Sequence, residues 1–344
     1  MLKKLMNEAY FTLRITTTGP LLIKSGHATI SGPDMTPVLT FRNGRQEVFL
    51  PGSSLKGVFR SHIEKIVCSL KPQVVCYPFS GSEDKGSDLS QRQRDYRESC
   101  GSMFANRAKK NDEERRKLEE HTDLVYHESC PTCRLFGSTS FIGRVAISDA
   151  YLASSSVTEQ RDGVGIDRLT GGASHGAKFE LEVVSTGVVF ETDIHLRNFE
   201  IWQLGMLFVV LQDMEDELIR IGSGRSRGLG KITATISDQG HYGRPGGLVT
   251  SVIQESVEPE NELWGLGRWL KESTYGDYDY GTWDDDLLSL SQPVQQSKRG
   301  IRSQREFHGD ALNTLRDAAI KNFVDRMQNW PEQTRPELTR ARNG

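Results

Sequence analysis

A glycine- and arginine-rich segment constrains the fold of this 344-residue chain more than any other part of its sequence. Residues 221–232 read IGSGRSRGLGKI, so that four glycines alternate with serines and arginines. Glycine adopts positive φ angles without steric cost and allows a second backbone to approach closely. The alternating residues 231–236 that follow predict a strand. A glycine turn that enters a strand is neither a P-loop nor a Rossmann fingerprint, because both of those motifs open a helix.

The side chains of this segment predict a phosphate-binding turn at the edge of a sheet. Arginine offers forked donors that suit phosphate oxygens, and glycine-rich turns cradle anions with backbone N–H groups. A long nucleic-acid backbone fits such a turn better than a free nucleotide does. The alternative is a tight hairpin whose arginines are only solvated. The candidate nucleic-acid contacts are Gly222, Gly224, Arg225, Arg227, Gly228 and Gly230.

Composition and charge are typical of a soluble protein of the reducing cytoplasm. The sequence is 36% hydrophobic and 26% charged, and its net charge of −3 is compatible with a local basic groove. No apolar run reaches the ~18 residues of a membrane-spanning helix, and the N-terminal residues lack the features of a secretory signal. Five cysteines, an odd and modest number, argue against a disulfide framework. We therefore expect a cytoplasmic protein without a membrane partner.

A second basic element is predicted at residues 52–67, where apolar residues recur at helical spacing. Ser53 or Ser54 is the expected N-cap. Lys56 and Arg60, four residues apart, lie on one side near the positive helix N-terminus, where an anion is favoured. The alternative is a solvated charged face. Combined with the glycine-rich turn, this helix predicts one phosphate-binding groove to which both segments contribute.

Four cysteines predict a structural zinc site around a polar insertion at about residues 76–133. Cys130 and Cys133 have the Cys-x2-Cys spacing of a zinc site, a redox pair or a chance occurrence. A redox pair needs a thioredoxin-like βαβ unit, which the surrounding pattern lacks. The insertion between the other two cysteines contains too few apolar residues to hold itself together, so a metal clamp is expected. The predicted ligands are Cys76, Cys100, Cys130 and Cys133, with His127 as the substitute.

Strand and helix patterns alternate along the chain and predict an α+β fold with a ferredoxin-like (RRM-type) sheet. Predicted strands cover residues 9–16, 144–150 and 231–236, and an Asn-Gly pair at residues 43–44 predicts a hairpin turn. A helix is expected over residues 202–221, directly before the glycine-rich turn.

The middle of the chain contains a glycine-rich segment, residues 155–178, that reads as a long functional loop. Its candidate nucleic-acid contacts are Arg161, Arg168 and His175. The residues that follow, 179–185 and 188–197, are expected to pair with each other as a hairpin.

A turn-rich stretch at residues 241–247 marks a change in composition. We expect a main domain at residues 1–240 and an appended docking or capping element at residues 241–344. The apolar residues of this C-terminal extension need the main domain or a neighbouring chain to cover them.

Four segments, taken together and in order, resemble the RAMP superfamily, the backbone-subunit family of class 1 CRISPR effector complexes. They read LPGSSLKGVFR at residues 50–60, CPTCRLFGS at 130–138, GIDRLTGGA at 165–173, and the glycine-rich turn at 222–230. The resemblance spans about residues 10–236 and is closest to the repeated backbone subunit of type III systems, including subtype III-D. Each segment alone is a weak match to the family, but four matches in the family's order make the resemblance specific.

The resemblance implies a ferredoxin-like palm, a β-hairpin thumb at about residues 157–180, and subunits stacked along a guide RNA. Other effector subunits, further copies of the chain and a complementary target RNA would be its partners. Lys56, Arg60 and the arginines of the turn would hold the guide backbone, and Ser53 belongs to the same helix. Target RNA would be cut with Mg²⁺ or Mn²⁺ by an acidic residue in the loop before that helix, which nominates Asp34.

Three other functions compete with this one. The chain could bind guide RNA as a purely structural subunit without catalysis. It could also be a stand-alone endoribonuclease for guide precursors, for which His27 is the candidate near the N-terminus. A zinc-dependent hydrolase is less favoured, because four cysteines make a closed structural site with no open position for water.

Overall fold

The computed structural model describes residues 4–26, 32–78, 96–240, 245–253, 258–272 and 279–331. They form an α+β fold built on a large antiparallel sheet. The strands are β1 (Glu8–Thr17), β2 (Leu39–Arg42), β3 (Arg45–Val48), β4 (Gly137–Ser138), β5 (Phe141–Ile142), β6 (Val145–Ile147), β7 (Tyr151–Leu152), β8 (Thr158–Ile166), β9 (Ala173–Val184), β10 (Val189–Arg197), β11 (Ile232–Ile236), β12 (Leu248–Ile253), β13 (Glu262–Trp264), β14 (Leu287–Ser289), β15 (Ser297–Arg299) and β16 (Arg302–Phe307). The helices are α1 (Gly52–Leu70), α2 (Cys100–Lys110), α3 (Asp112–Glu120), α4 (Thr122–His127), α5 (Pro131–Phe136), α6 (Ile201–Glu215), α7 (Leu266–Glu272) and α8 (Gly309–Gln328).

Strand β1 lies at the centre of the main sheet, whose order is β15-β16-β12-β1-β10-β6. One edge of β1 pairs with β10 from Glu8↔Arg197 to Thr16↔Val189. Its other edge is shared between two strands: β11 pairs with its second half, and β12 pairs with Glu8–Tyr10. The alternating residues Ala9, Phe11, Leu13 and Ile15 are buried in the main core. The period-two pattern therefore predicted this strand correctly, because every second side chain meets the same apolar layer.

Helix α6 lies deep in the fold, since eleven of its fifteen residues are buried. Helix α8 crosses it at Gly205, where an added Cβ would lie 2.1 Å from the Ala319 carbonyl oxygen. The Trp202 ring packs edge-on against the Trp330 ring, with centroids 5.3 Å apart. Helix α6 ends at Glu215, earlier than the predicted 221, and a short connection then leads to the glycine-rich turn.

The C-terminal extension contributes to the same sheet and the same core. Strand β12 pairs with β1, and β16 pairs with β12 from Leu248↔Phe307 to Ile253↔Arg302. Helix α8 buries its apolar side in the main core at Leu315, Ala319, Phe323 and Met327. The extension therefore covers part of the core that the first 240 residues build.

Two predictions about the middle of the chain are wrong. Residues 179–185 do not pair with residues 188–197: β9 pairs with β8, whereas β10 pairs with β1, β6 and β7. Residues 155–178 are not a long loop, because most of them belong to the β8–β9 hairpin. The period-two pattern identified the later strands, but it carries no information about which strand each of them pairs with.

The start of helix α1 also differs from the prediction. Neither Ser53 nor Ser54 is the N-cap: the helix begins at Gly52 after Pro51. The Asp149 carboxylate accepts the Gly52 N–H at 2.7 Å and so satisfies a helix N-terminus from a distant part of the chain. Among the described residues, no helix is both long enough and apolar enough to cross a membrane.

Candidate nucleic-acid interface and metal centre

The four predicted cysteines come together in one buried cluster, which we call the cysteine cluster: Cys76, Cys100, Cys130 and Cys133. Their sulfur atoms all lie within 4.8 Å of one another, and the Sγ atoms of Cys76 and Cys133 are 3.5 Å apart. Ligands of a tetrahedral zinc ion with Zn–S bonds of ~2.3 Å are ~3.8 Å apart, which is close to this spacing. All four cysteines are free thiols, so the cluster is not a pair of disulfides.

Local structure explains how the sulfurs are oriented. Cys130 is the N-cap of α5, Pro131 follows at the first helical position, and the Cys130 sulfur accepts the Cys133 N–H at 3.4 Å. The Cys100 sulfur accepts the Cys130 N–H at 3.3 Å. Cys76 is held by a parallel bridge to Arg97. Backbone N–H groups that point at sulfur are the donors that a thiolate–metal site uses.

The thiols of the cluster strongly influence one another's ionisation. Hydrogen bonds that the Cys76 thiol makes with Cys100 and Cys130 raise its pKa above the usual value. Burial opposes ionisation of Cys130, but hydrogen bonds from the three other thiols lower its pKa well below the usual range. Such buried thiols form several adjacent thiolates only when a cation compensates their charge. The cluster therefore fits a structural metal such as zinc, and His127 is not needed as a ligand: its ring lies 3.3 Å from the Asp279 carboxylate.

Arg60 contacts the cysteine cluster, a position that the sequence did not reveal. Its guanidinium donates to the Glu64 carboxylate at 2.8 Å, to the Gly137 carbonyl at 3.1 Å and to the Cys133 sulfur at 3.3 Å. Burial alone would lower the pKa of Arg60, but the Cys133 sulfur and Glu64 raise it above its usual value. A positive charge held at this point offsets the negative charge of thiolates.

The remaining candidates of helix α1 lie on its first turns. Lys56 is half-buried, and burial together with the nearby charge of Arg60 lowers its pKa. Ser53 is exposed on the first turn. The Gly52 N–H, which would otherwise face an anion, is already bonded to Asp149. The Lys56 side chain, rather than the N-terminal N–H group of the helix, is therefore the group that a phosphate could contact.

The four glycines of the turn all have positive φ angles, between 71° and 87°. Gly224 and Gly228 flank a short 3-10 turn that carries the exposed side chains of Arg225 and Arg227. Gly222 and Gly230 instead permit close contact, because an added Cβ would lie 2.4 Å from the Leu22 carbonyl or 2.1 Å from the Ile221 carbonyl.

The backbone of the turn is docked against the segment that follows β1. The Ser223 N–H donates to the Leu22 carbonyl and the Gly230 N–H donates to the Pro20 carbonyl, both at 2.7 Å. These two amides bond other parts of the protein, so they are not available for the phosphate contact that the sequence predicted. The arginine side chains, by contrast, project from the surface.

Asp34 lies against the β8–β9 hairpin. Its carboxylate accepts the Glu180 N–H at 2.8 Å, and Met35 forms a parallel bridge with Leu181. The Met35 carbonyl accepts the Glu182 N–H at 2.9 Å. The loop that carries Asp34 is therefore fixed to the base of the hairpin by backbone bonds.

The hairpin candidates occupy different heights along β8 and β9. Arg161 is near the base and forms a 2.7 Å ion pair with Glu159. Arg168 lies at the exposed tip, where Asp167 accepts the Leu169 N–H, and His175 is exposed on β9. Exposed ion pairs contribute little to stability, so Arg161 can exchange its partner for a phosphate at low cost.

The structure brings some candidates together and separates others. Asp34, Arg161 and Arg227 surround the base of the hairpin, where Arg161 and Arg227 line one groove with Met35. The contacts of Arg60 lead to the cysteine cluster instead, so a groove shared by both basic segments stays a prediction. His27 lies outside the described residues.

Sequence reasoning missed two contributors to this region. Phe179 lies between the turn and β8, with the Arg227 guanidinium 5.6 Å from its ring centroid. Asp149 caps helix α1. Phe179 follows directly after the glycine-rich segment at residues 155–178, which was a detectable signal. No local signal identifies Asp149.

A comparison with known families agrees with the geometry. The family model described as the RAMP superfamily matches residues 14–233, which include the cysteine cluster, the β8–β9 hairpin and the glycine-rich turn. No curated protein matches the chain. Since the model covers more than half of the sequence, the chain belongs to the RAMP superfamily.

Proposed function

We propose that this protein is a guide-RNA-binding backbone subunit of a type III CRISPR effector complex and that it cuts the complementary target RNA. Membership of the RAMP superfamily supports a CRISPR-associated RNA-binding subunit. The observation that carries the finer proposal is the convergence of Asp34, Arg161 and Arg227 at the base of one exposed hairpin. Its partners are guide RNA, target RNA, other effector subunits and further copies of the chain.

The strand order supports a ferredoxin-like palm within the larger sheet. Strands β11, β1, β10 and β6 are neighbours in that order, and all their pairings are antiparallel. Helix α1 lies between β1 and β6 in the chain, and α6 lies between β10 and β11. This is the β-α-β-β-α-β arrangement of the ferredoxin-like motif. The β8–β9 hairpin, inserted before β10, serves as the thumb.

The guide backbone is held by cationic and polar side chains of helix α1, the β8–β9 hairpin and the glycine-rich turn. The contributing residues are Ser53, Lys56, Arg161, Arg168, His175, Arg225 and Arg227. Arg60 acts indirectly, because its guanidinium is bonded to the cysteine cluster. Neutralisation of phosphates by such side chains makes the affinity strongly salt-dependent.

Asp34 is the residue proposed to promote cleavage. When a target nucleotide is unstacked, its 2′-oxygen can align with the neighbouring phosphorus. The 2′-O–P bond forms, the P–O5′ bond breaks, the carboxylate takes the 2′-OH proton, and the leaving 5′-oxygen gains a proton from water. Mg²⁺ or Mn²⁺, when bound, would stabilise the charge on the phosphate oxygens. The bond from Glu180 N–H orients the carboxylate for this role.

RNA retention tests the binding half of the proposal. We expect the chain, purified from cells that express its whole operon, to carry an RNA of defined length. We also expect the logarithm of its binding constant for that RNA to fall linearly with the logarithm of the salt concentration. A preparation free of RNA would contradict the proposal.

Asp34→Asn tests the catalytic half. The asparagine oxygen can still accept the Glu180 N–H, so the substitution removes the charge and keeps the loop in place. We expect target cleavage by the assembled complex to fall by about 100-fold or more, with guide binding unchanged. Asp317→Asn, an exposed aspartate on α8, is the matched control. If Asp34→Asn cuts at the same positions and rate, the subunit is structural.

A further inference from the structure

A short segment of the C-terminal extension, residues 279–286, connects the polar insertion to helix α6, and we call it the strap. At one end, the Asp279 N–H donates to the Asp123 carboxylate of α4 at 3.1 Å. At the other end, the buried Asp286 carboxylate accepts the Ile201 N–H at the start of α6, at 2.9 Å. The strap therefore joins the insertion to a helix of the main core.

The middle of the strap packs closely on helix α4. Tyr280 is buried, and its ring lies edge-on to the Tyr126 ring, with centroids 6.0 Å apart. Gly281 has a φ of 60°, and an added Cβ would lie 2.3 Å from the His127 ring. A side chain at position 281 would therefore disturb the contact between the strap and α4.

Arg134 connects the strap with the cysteine cluster. It follows directly after Cys133, and it is buried. Its guanidinium donates to the Gly281 carbonyl at 3.1 Å, to the Ser129 carbonyl at 3.3 Å and to the His127 carbonyl at 2.5 Å. The planar guanidinium can make these three bonds together because its donors form a fixed fork. Since Arg134 lies on the turn that carries Cys133, the shape of that turn decides whether the guanidinium reaches the strap.

The same guanidinium also lies against the end of the C-terminal helix. Its central carbon is 4.7 Å from the centroid of the Trp330 ring, which follows α8 and is buried. The Trp330 ring in turn contacts the ring of Trp283 in the strap, with centroids 5.4 Å apart. A cation over an aromatic ring is stabilising, and more so away from water. One arginine beside a metal ligand therefore contacts both the strap and the end of the chain's last helix.

The contacts of the strap with the insertion exist only while α4 and α5 are folded. Both helices contribute to the separate small core around the cysteine cluster. Metal binding supplies folding free energy to a unit of this kind. A segment that binds only the folded form of the unit shifts the same equilibrium. The metal and the strap therefore act on one folding equilibrium.

We propose that metal binding at the cysteine cluster and closure of the strap stabilise each other, so that loss of the metal releases the strap from the insertion. Arg134 is the positioning residue that links the two. Because such coupling is reciprocal, a strap that fits poorly must weaken metal binding by the same factor by which the metal favours closure. The inference is independent of the proposed function, since it requires no RNA.

Zinc affinity tests the coupling from the side of the strap. The full chain and its variants Gly281→Ala and Gly300→Ala are titrated with Zn²⁺ against a competing metal-sensitive dye. Gly300 has a φ of 61° and nothing within 4 Å of an added Cβ, so its variant has the same backbone cost but leaves the strap untouched. We expect Gly281→Ala to bind Zn²⁺ about tenfold more weakly than Gly300→Ala. Equal affinities would overturn the coupling.

Hydrogen exchange tests the coupling from the side of the metal and needs no variant. When the metal is removed from the unaltered chain by a chelator, we expect the amides of residues 279–283 to lose protection together with α4 and α5. Strands β12 and β16 of the same extension should keep their protection, because they pair within the main sheet. A strap that stays protected after chelation, or an extension that loses protection throughout, would contradict the proposal. An unaltered chain that binds no Zn²⁺ would overturn it as well.

Discussion

Glycine acts in two physically different ways within the turn at residues 221–232. Gly228 has a φ of 87° and nothing within 4 Å of an added Cβ, so only its backbone angle favours glycine. Gly230 has a φ of 84°, and an added Cβ would also meet the Ile221 carbonyl oxygen at 2.1 Å. The first glycine shapes the arginine turn, and the second allows it to dock.

This difference predicts unequal costs for the same substitution. Gly228→Ala should lower the free energy of unfolding by about 1 kcal/mol, the cost of a left-handed non-glycine residue. Gly230→Ala should lower it by about 3 kcal/mol or more, because backbone atoms cannot yield as a side chain can. Urea denaturation measures both values. If both variants lost the same free energy of unfolding, the close approach of the Ile221 carbonyl to Gly230 would contribute nothing to the cost.

Arg60 and Lys56 are one turn apart on α1 and yet are expected to act differently. Arg60→Ala removes the donor to the Cys133 sulfur and should weaken zinc binding by about 10–100-fold. Lys56→Ala should leave zinc binding intact and reduce the salt slope of RNA binding by about one. Competition with a metal-sensitive dye measures the first effect, and binding titrations at several salt concentrations measure the second. Unchanged zinc affinity in Arg60→Ala would show that its contact with sulfur is incidental.

At the scale of elements, the polar insertion has a small core of its own around the cysteine cluster. Phe104, Leu118 and Val125 join the four cysteines in an apolar cluster that is distinct from the main core. Helix α3 has Leu118 as its one buried residue, so it gains little from packing. Such a unit cannot remain folded through hydrophobic burial alone.

Removal of the metal should therefore unfold the insertion and spare the sheet. In Cys130→Ser, or after chelation, we expect amide hydrogens in α2–α5 to lose protection while those of β1 and β10 keep it. Hydrogen exchange followed by mass spectrometry resolves the two regions. Cys68→Ser is the matched control, since Cys68 is half-buried and lies outside the cluster. Simultaneous loss of protection in both regions would contradict a separate unit.

At the scale of the whole molecule, the C-terminal extension and the family region share one core. The family model ends at residue 233, yet β12 pairs with β1 and helix α8 lies on α6. The two helices approach closely at Gly205, where the Ala319 carbonyl leaves no room for a side chain. Loss of this contact would expose a large apolar surface around Trp202.

Two helix glycines test this packing with opposite expected signs. Gly57→Ala on α1 has nothing within 4 Å of the new Cβ and should raise the free energy of unfolding by about 0.5–1 kcal/mol through helix propensity. Gly205→Ala should lower it by about 2 kcal/mol despite the same gain in propensity, because it forces α8 away. Thermal or urea denaturation decides the sign. A stabilised Gly205→Ala protein would mean that the two helices are not tightly packed.

Predictions that depended on neighbours close in the chain were the accurate ones. Strand β1, the hairpin at residues 43–44 and the strand after the glycine turn follow from period two and turn chemistry. The cysteine cluster was also identified, because residues 130 and 133 have a recognisable Cys-x2-Cys spacing and the chain has only three further cysteines. The pairing of β9 and the cap of α1 were mistaken, since each depends on a partner that the local pattern does not name.

By itself, the sequence determined where the backbone turns, which faces are apolar and which residues can ligate a metal, since all three depend on local sterics and side-chain chemistry. The tertiary structure alone decided which charges are available to a ligand. It brought the Cys133 sulfur to Arg60 across 73 residues and the Glu180 N–H to Asp34 across 146 residues. A cation that packing removes from water bonds the acceptor that lies beside it, because a buried charge without a partner destabilises the folded state.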